Sequence, residues 1–186
     1  GGVVKLATID GSINPASADY LIRAIEESEA EKADALLIEL DTPGGLVSST
    51  KDIIQAMLNA EVPVIVYVAP RGAWASSAGT FITVAANIAA MAPGTSIGAA
   101  HPVGIGGGGG GPKGLPGEEP AEGAAPQRDF SAEKAENLLA AYMKTIAAKR
   151  NRNVEWVVDA VRDSVAIGET EALELGVIDL IANDRR

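Results

Sequence analysis

The sequence predicts an α/β fold, a mostly parallel sheet covered by helices, within a single domain spanning residues 1–186. Short runs of Val, Ile, Leu and Ala alternate with longer segments of helical periodicity, the pattern of successive βα units. The length of 186 residues suits one sizeable core. That core must be aliphatic, because 47% of residues are hydrophobic but only 4% are aromatic.

Val3–Ile9 reads as the first strand. Asn14-Pro15 supplies an N-cap and a first helical position, opening an amphipathic helix to about Ala30. Ala35–Leu40 (ALLIEL), short and mostly apolar, suits a buried parallel strand. A helix over Ser49–Asn59 and a strand over Val64–Val68 follow. A helix from about Ser77 to Ala86 leads into a strand at Ile88–Met91. Gly104–Gln127 contains six consecutive glycines, then prolines and glutamates, with almost nothing to bury. It predicts a flexible low-complexity loop, a type that often serves as a lid or binding loop. Ser131 reads as the N-cap of a helix to about Lys149. A helix over Val154–Arg162 then precedes Glu169–Leu175 and a last strand, Val177–Ile181.

Composition excludes several functions. A formal net charge of −10 opposes nucleic-acid binding, which needs a basic stripe. Without cysteine there is no disulfide framework, structural zinc site or thiol nucleophile, and no cofactor or metal is expected. Gly72–Ala100 carries no charge, yet Ser76, Ser77, Thr80, Thr83, Asn87 and the break at Pro93-Gly94 fit a buried helix and strand better than a membrane span. The opening GGVVKLATI lacks the basic start and apolar core of a signal peptide.

Two motifs could carry chemistry. Asp41-Thr42-Pro43-Gly44-Gly45 directly follows ALLIEL, at the carboxyl end of a parallel strand, where open α/β sheets bind ligands. Its glycines let backbone N–H groups approach a carbonyl oxygen, although turn chemistry alone also explains the run. Ala75-Ser76-Ser77-Ala78-Gly79 reads small-x-Ser-x-Gly, close to a nucleophile elbow centred on Ser77. The plainer alternative is that Ser76 caps the helix and Ser77 packs.

A nucleophilic serine needs a base. The single histidine is His101, before Pro102. Lys134 lies four residues before Leu138, on the expected buried side of the Leu138, Leu139, Tyr142, Ile146 stripe, and in the first helical turn. Burial and the helix dipole would together favour the neutral amine of a general base. The ordinary alternatives are a solvated lysine and a loop histidine packed on Pro102.

Taken together, DTPGG, ASSAGT, AMAPGTSIGAAHPVG and ETEALELGVID resemble the membrane-bound serine proteases of the NfeD family, relatives of the ClpP and signal peptide peptidase A group. The resemblance covers nearly the whole chain and weakens only in the glycine-rich loop. It implies a ClpP/crotonase-like fold of stacked ββα units, with Ser77 as nucleophile and Lys134 as base. It implies an oxyanion hole from Gly44, Gly45 and the N–H of Ala78. His101 falls near the triad histidine of ClpP-type enzymes and Asp163 near their aspartate, so a Ser–His–Asp triad is the alternative. The resemblance also implies cleavage of apolar segments of stomatin-like membrane proteins, a homodimer, and a soluble catalytic domain held outside the cytoplasm by further membrane segments. A crotonase-type acyl-CoA enzyme and a non-catalytic stomatin-binding scaffold are the rival functions.

Overall fold

The computed structural model describes residues 2–103 and 130–186. Strand β1 (Val4–Asp10) leads through Asn14 into helix α1 (Pro15–Ala30). Asn14 is the expected cap: its Oδ1 accepts the N–H groups of Ala16 and Ser17, and Ser17 Oγ accepts the N–H of Asn14. β2 (Ala35–Asp41) then precedes α2 (Val47–Asn59). The latter starts two residues before Ser49 because Leu46, tied by its N–H to Ile13 O, already sets the helix entry. β3 (Val64–Val68), β4 (Trp74–Ser76) and α3 (Ala78–Ala85) follow, then β5 (Ile88–Met91) and β6 (Ser96–Gly98). The chain continues with α4 (Phe130–Lys149), α5 (Val154–Arg162), β7 (Ala166–Gly168), α6 (Glu169–Glu174) and β8 (Leu180–Ile181).

Five strands form one parallel sheet in the order β1-β2-β3-β5-β8. A smaller sheet, β4-β6-β7, pairs β4 parallel and β7 antiparallel to β6. In chain order β3-β4-α3 and β5-β6-α4 each place one strand in the large sheet and the next in the small one. The earlier units do the same in reduced form, through single bridges Ile13–Gly45 and Thr42–Ala75. These are the stacked ββα units expected from the family resemblance. The main core lies on one face of the large sheet, where Leu36, Ile38, Leu40, Val64, Val66 and Val68 meet the helices. The other face carries a thin cluster of Tyr67, Ala69, Ala90 and Ala92, closed by the Tyr67 hydroxyl donating to Ala182 O.

The structure corrects the sequence reading in four places. β4, β6 and β7 were not expected, since three-residue strands are too short to show a period. The last strand is confined to Leu180–Ile181, because Val177 and Ile178 are buried in a turn with both N–H groups on Ala172 O. α4 begins at Phe130, so Ser131 is inside the helix rather than its cap. Leu138 is 74% exposed, so the buried stripe of α4 is Ala140, Met143, Ile146 and Ala147 instead. The low-complexity loop expected at Gly104–Gln127 lies outside the described residues. Among the described residues no helix is long and apolar enough to cross a membrane.

Candidate active site

The site forms where the two sheets meet. β4 ends at Ser76, α3 begins at Ala78, and Ser77 between them takes φ 52° and ψ −114°. Such a conformation costs a non-glycine residue about 1–3 kcal/mol and persists only where its surroundings enforce it. Here Ser77 N–H donates to Gly98 O (3.0 Å), and Ser77 O accepts the N–H of Thr80 (2.9 Å). Buried Thr80 stitches the corner further, its hydroxyl donating to Ala75 O (2.9 Å) and accepting the N–H of Gly98 (3.0 Å). A serine at a helix N-cap normally commits its oxygen to the first-turn N–H groups. Ser77 makes no such bond, and among the described residues its Oγ is uncommitted.

The Pro43-Gly44-Gly45 turn packs directly on this elbow. Gly44 has φ 117°, and a Cβ there would stand 2.7 Å from Ser77 Cβ and 3.2 Å from Ser77 Oγ. Only glycine permits both the conformation and the approach. Gly44 donates its N–H to Thr42 Oγ1 (3.1 Å), and its carbonyl accepts the N–H of Ile13 (2.8 Å). Its donor is therefore engaged. Gly45 lies against the Ile13 backbone, where any Cβ would collide. Its N–H makes no hydrogen bond among the described residues. Ala78, first in α3, has no intrahelical acceptor for its N–H. Among the described residues, two of the three expected oxyanion donors are thus free.

A cavity of about 350 Å³ opens beside Ser77 and Ala78. Val47 and Ile54 of α2, Phe81 of α3 and Leu139, Tyr142 and Met143 of α4 make its apolar wall. Burial raises the Tyr142 phenol above its ordinary value, so it faces the cavity as a neutral hydroxyl.

The candidate bases sit differently. Lys134 is exposed on the first turns of α4, one turn before Leu138, which lines the cavity; the burial expected for it is not there. Ala100 and Pro102 line the cavity, but His101 between them does not. Its Nδ1 lies 2.9 Å from Val161 O and 3.8 Å from the Glu136 carboxylate. A carbonyl can only accept, so Nδ1 carries the proton in that bond. Asp163 is exposed at the C-cap of α5, and no ion pair joins it to His101 among the described residues. The structure brings Ser77, Gly44, Gly45 and Ala78 together, and among the described residues none of Lys134, His101 and Asp163 makes a hydrogen bond or ion pair with them.

Sequence reasoning missed the supports. Arg152, only 6% exposed, donates to Val84 O (3.0 Å), Ala86 O (2.8 Å) and Asp179 (3.0 Å). Arg150 donates to Ala85 O (2.9 Å). Two guanidinium groups therefore occupy the C-terminal carbonyls of the helix whose N-terminus holds the site, where cations are favourable. Burial and the Arg152 charge lower the Arg150 value, although a guanidinium stays protonated. The three carbonyl partners, more than 60 residues away, leave no local signal. Thr42 and Thr80 had one: Thr42 lies inside the DTPGG motif and Thr80 directly follows Ala75–Gly79.

Comparison with known proteins places the chain in a family. Residues 3–114 match the family model described as NfeD1b, N-terminal domain. The chain is 36% identical over 182 residues to Membrane-bound protease PH1510 of Pyrococcus horikoshii, covering 98% of this chain and 38% of that protein. It is 30% identical over 173 residues to Membrane protein NfeD1b of Bacillus subtilis, covering 93% of this chain and 33% of that protein. The chain thus spans well under half the length of either relative. Among solved structures it is similar to a serine-to-alanine mutant of the 1510-N membrane-bound stomatin-specific protease, with TM-score 0.81 and 35% identity over 99% of this chain and 81% of the other. A lysine-to-alanine mutant of that protease, in complex with a substrate peptide, gives TM-score 0.80 and 34% identity over 99% and 77%.

Proposed function

The chain belongs to the NfeD1b N-terminal domain family, and on that premise we propose that it is a serine endopeptidase working through a Ser77–Lys134 dyad. The observation that carries this reading is the uncommitted Ser77 hydroxyl on a strained helix start, beside two free N–H groups and an apolar cavity. The similar protease structures, altered at one serine and one lysine, point to the same pair of residue types.

The chemistry follows from the residues. The neutral amine of Lys134 takes the proton from Ser77 Oγ, which attacks the peptide carbonyl carbon. The resulting oxyanion accepts the N–H groups of Gly45 and Ala78 at the positive end of α3, with Gly44 shaping the turn. As the C–N bond breaks, the lysine proton passes to the leaving amine. Water, deprotonated by the same amine, then releases the acyl group from Ser77. Lys134 reaches Ser77 when substrate is bound, since catalytic contacts commonly tighten only in the complex. The apolar cavity selects apolar substrate segments, and the stomatin-specific relatives make the C-terminal region of a stomatin-like protein the natural substrate. The domain acts as a homodimer outside the cytoplasm, joined in the full-length protein to membrane segments like those of its membrane-bound relatives.

Initial-rate cleavage of apolar peptides tests the proposal. Ser77→Ala and Lys134→Ala should each lose about 1,000-fold or more in turnover, with His101→Ala largely active. Loss in His101→Ala with Lys134→Ala active would replace the dyad with a triad. Binding without cleavage by the unaltered protein would favour a scaffold, and tight binding of CoA thioesters a crotonase-type enzyme.

A further inference from the structure

Among the described residues, the cavity beside Ser77 has one charged residue in its lining, Lys51 of α2. Nothing in the helix explains it. The residues at helical spacing are Val47, Ser48, Ile54 and Gln55, none of them acidic. Among the described residues no ion pair or hydrogen bond holds its ammonium. Lys51 follows the first turn of α2, a helix with no acidic residue there, so the positive end of the helix does not favour a cation. The chain as a whole carries −10 and repels anions at long range. Lys51 reverses that sign locally, on a wall that substrate must pass.

We propose that Lys51 is a specificity-determining residue whose ammonium pairs with a carboxylate of the bound peptide, next to the apolar side chain seated in the cavity. The proposal rests on the endopeptidase reading. A lysine suits the task because its aliphatic stem lies along the apolar wall while its head stays at the water boundary. Lys51 is exposed in the free protein, and a bound peptide that covers it makes the charge-assisted hydrogen bond stronger than the same pair on open surface. The carboxylate is either an acidic side chain adjoining the apolar anchor or a free C-terminus.

Binding measured in the Ser77→Ala background separates these sources and does not depend on turnover. Four fluorescent peptides share one apolar anchor, with Glu or Gln beside it, each as free acid or C-terminal amide. The carboxylate-bearing member of one pair should bind about tenfold more tightly than its neutral counterpart at low salt. Adding Lys51→Met should remove that difference while neutral peptides bind as before, and Lys51→Glu should reverse the order. Whichever pair discriminates identifies the source of the carboxylate. Equal affinity for all four peptides overturns the proposal, as does discrimination that survives Lys51→Met. Uniform loss of cleavage toward every peptide in a Lys51→Met single variant also overturns it, by placing Lys51 in the chemistry itself. If the unaltered protein cleaves nothing, the endopeptidase reading fails while the binding comparison still decides the role of Lys51.

Discussion

A single methyl group added at Gly44 should silence the site. Its Cβ would stand 2.7 Å from Ser77 Cβ, whereas carbon atoms rest comfortably at roughly 3.5–4.0 Å. The turn and the elbow must therefore part by about 1 Å, a displacement that costs on the order of 100-fold in rate when it falls on a reacting group. The φ of 117° adds backbone strain of about 1–3 kcal/mol, or very roughly 2–12 °C in Tm for a domain of this size. Gly11→Ala provides the control, because Gly11 has φ 135° but nothing within 4 Å of the added atom. Both variants should lose stability in a thermal melt, Gly44→Ala the more because its clash adds to the strain. Only Gly44→Ala should lose kcat/KM by about 100-fold in a peptide-cleavage assay. Near-normal kcat/KM in Gly44→Ala, or an equal activity loss in Gly11→Ala, would refute the contact argument.

Thr42→Val removes the acceptor of the Gly44 N–H inside a buried turn; a stability loss of about 1–3 kcal/mol by urea titration and a fall in kcat are expected. Arg152→Met strands the carbonyls of Val84 and Ala86, and should cost about 3 kcal/mol while lowering activity from the far end of α3. The raised Tyr142 value means that the fold favours the neutral phenol, so its contribution is complete below the ordinary value of 10.0 and is lost as pH rises through the raised one. Denaturation midpoints compared at about pH 9 and 11 should therefore fall less in Tyr142→Phe than in the unaltered protein.

The sequence reading succeeded where local chemistry decides structure. Asn14-Pro15 announced α1 because a cap and a fixed φ act within a few residues, and VIVYV marked β3 because an apolar strand is a contiguous signal. It failed where partners are distant or elements tiny. The small sheet consists of three-residue strands whose only justification is mutual pairing. The burial assigned to Lys134 assumed that the whole apolar stripe of α4 meets the core. In fact Leu138 is exposed and continuous burial starts only near Ala140, so periodicity located the face but not how far along the helix it packs. Within the site, small-x-Ser-x-Gly and the glycine pair after a strand were readable because both report backbone needs. Their contact, across 33 positions, is a property of the Thr42–Ala75 bridge, which sets the end of β2 in the large sheet beside β4 in the small one.

The uncommitted Ser77 hydroxyl has a consequence for α3 as a whole. A helix whose N-cap oxygen is turned away is left without a lid on its first amides, and this one is only eight residues long. On the proposed chemistry the missing cap arrives with the substrate, whose carbonyl oxygen takes the place that a side chain fills in other helices. Catalysis and helix completion then become one event, and an acyl group attached at Ser77 is as much a part of the secondary structure as Asn14 is of α1.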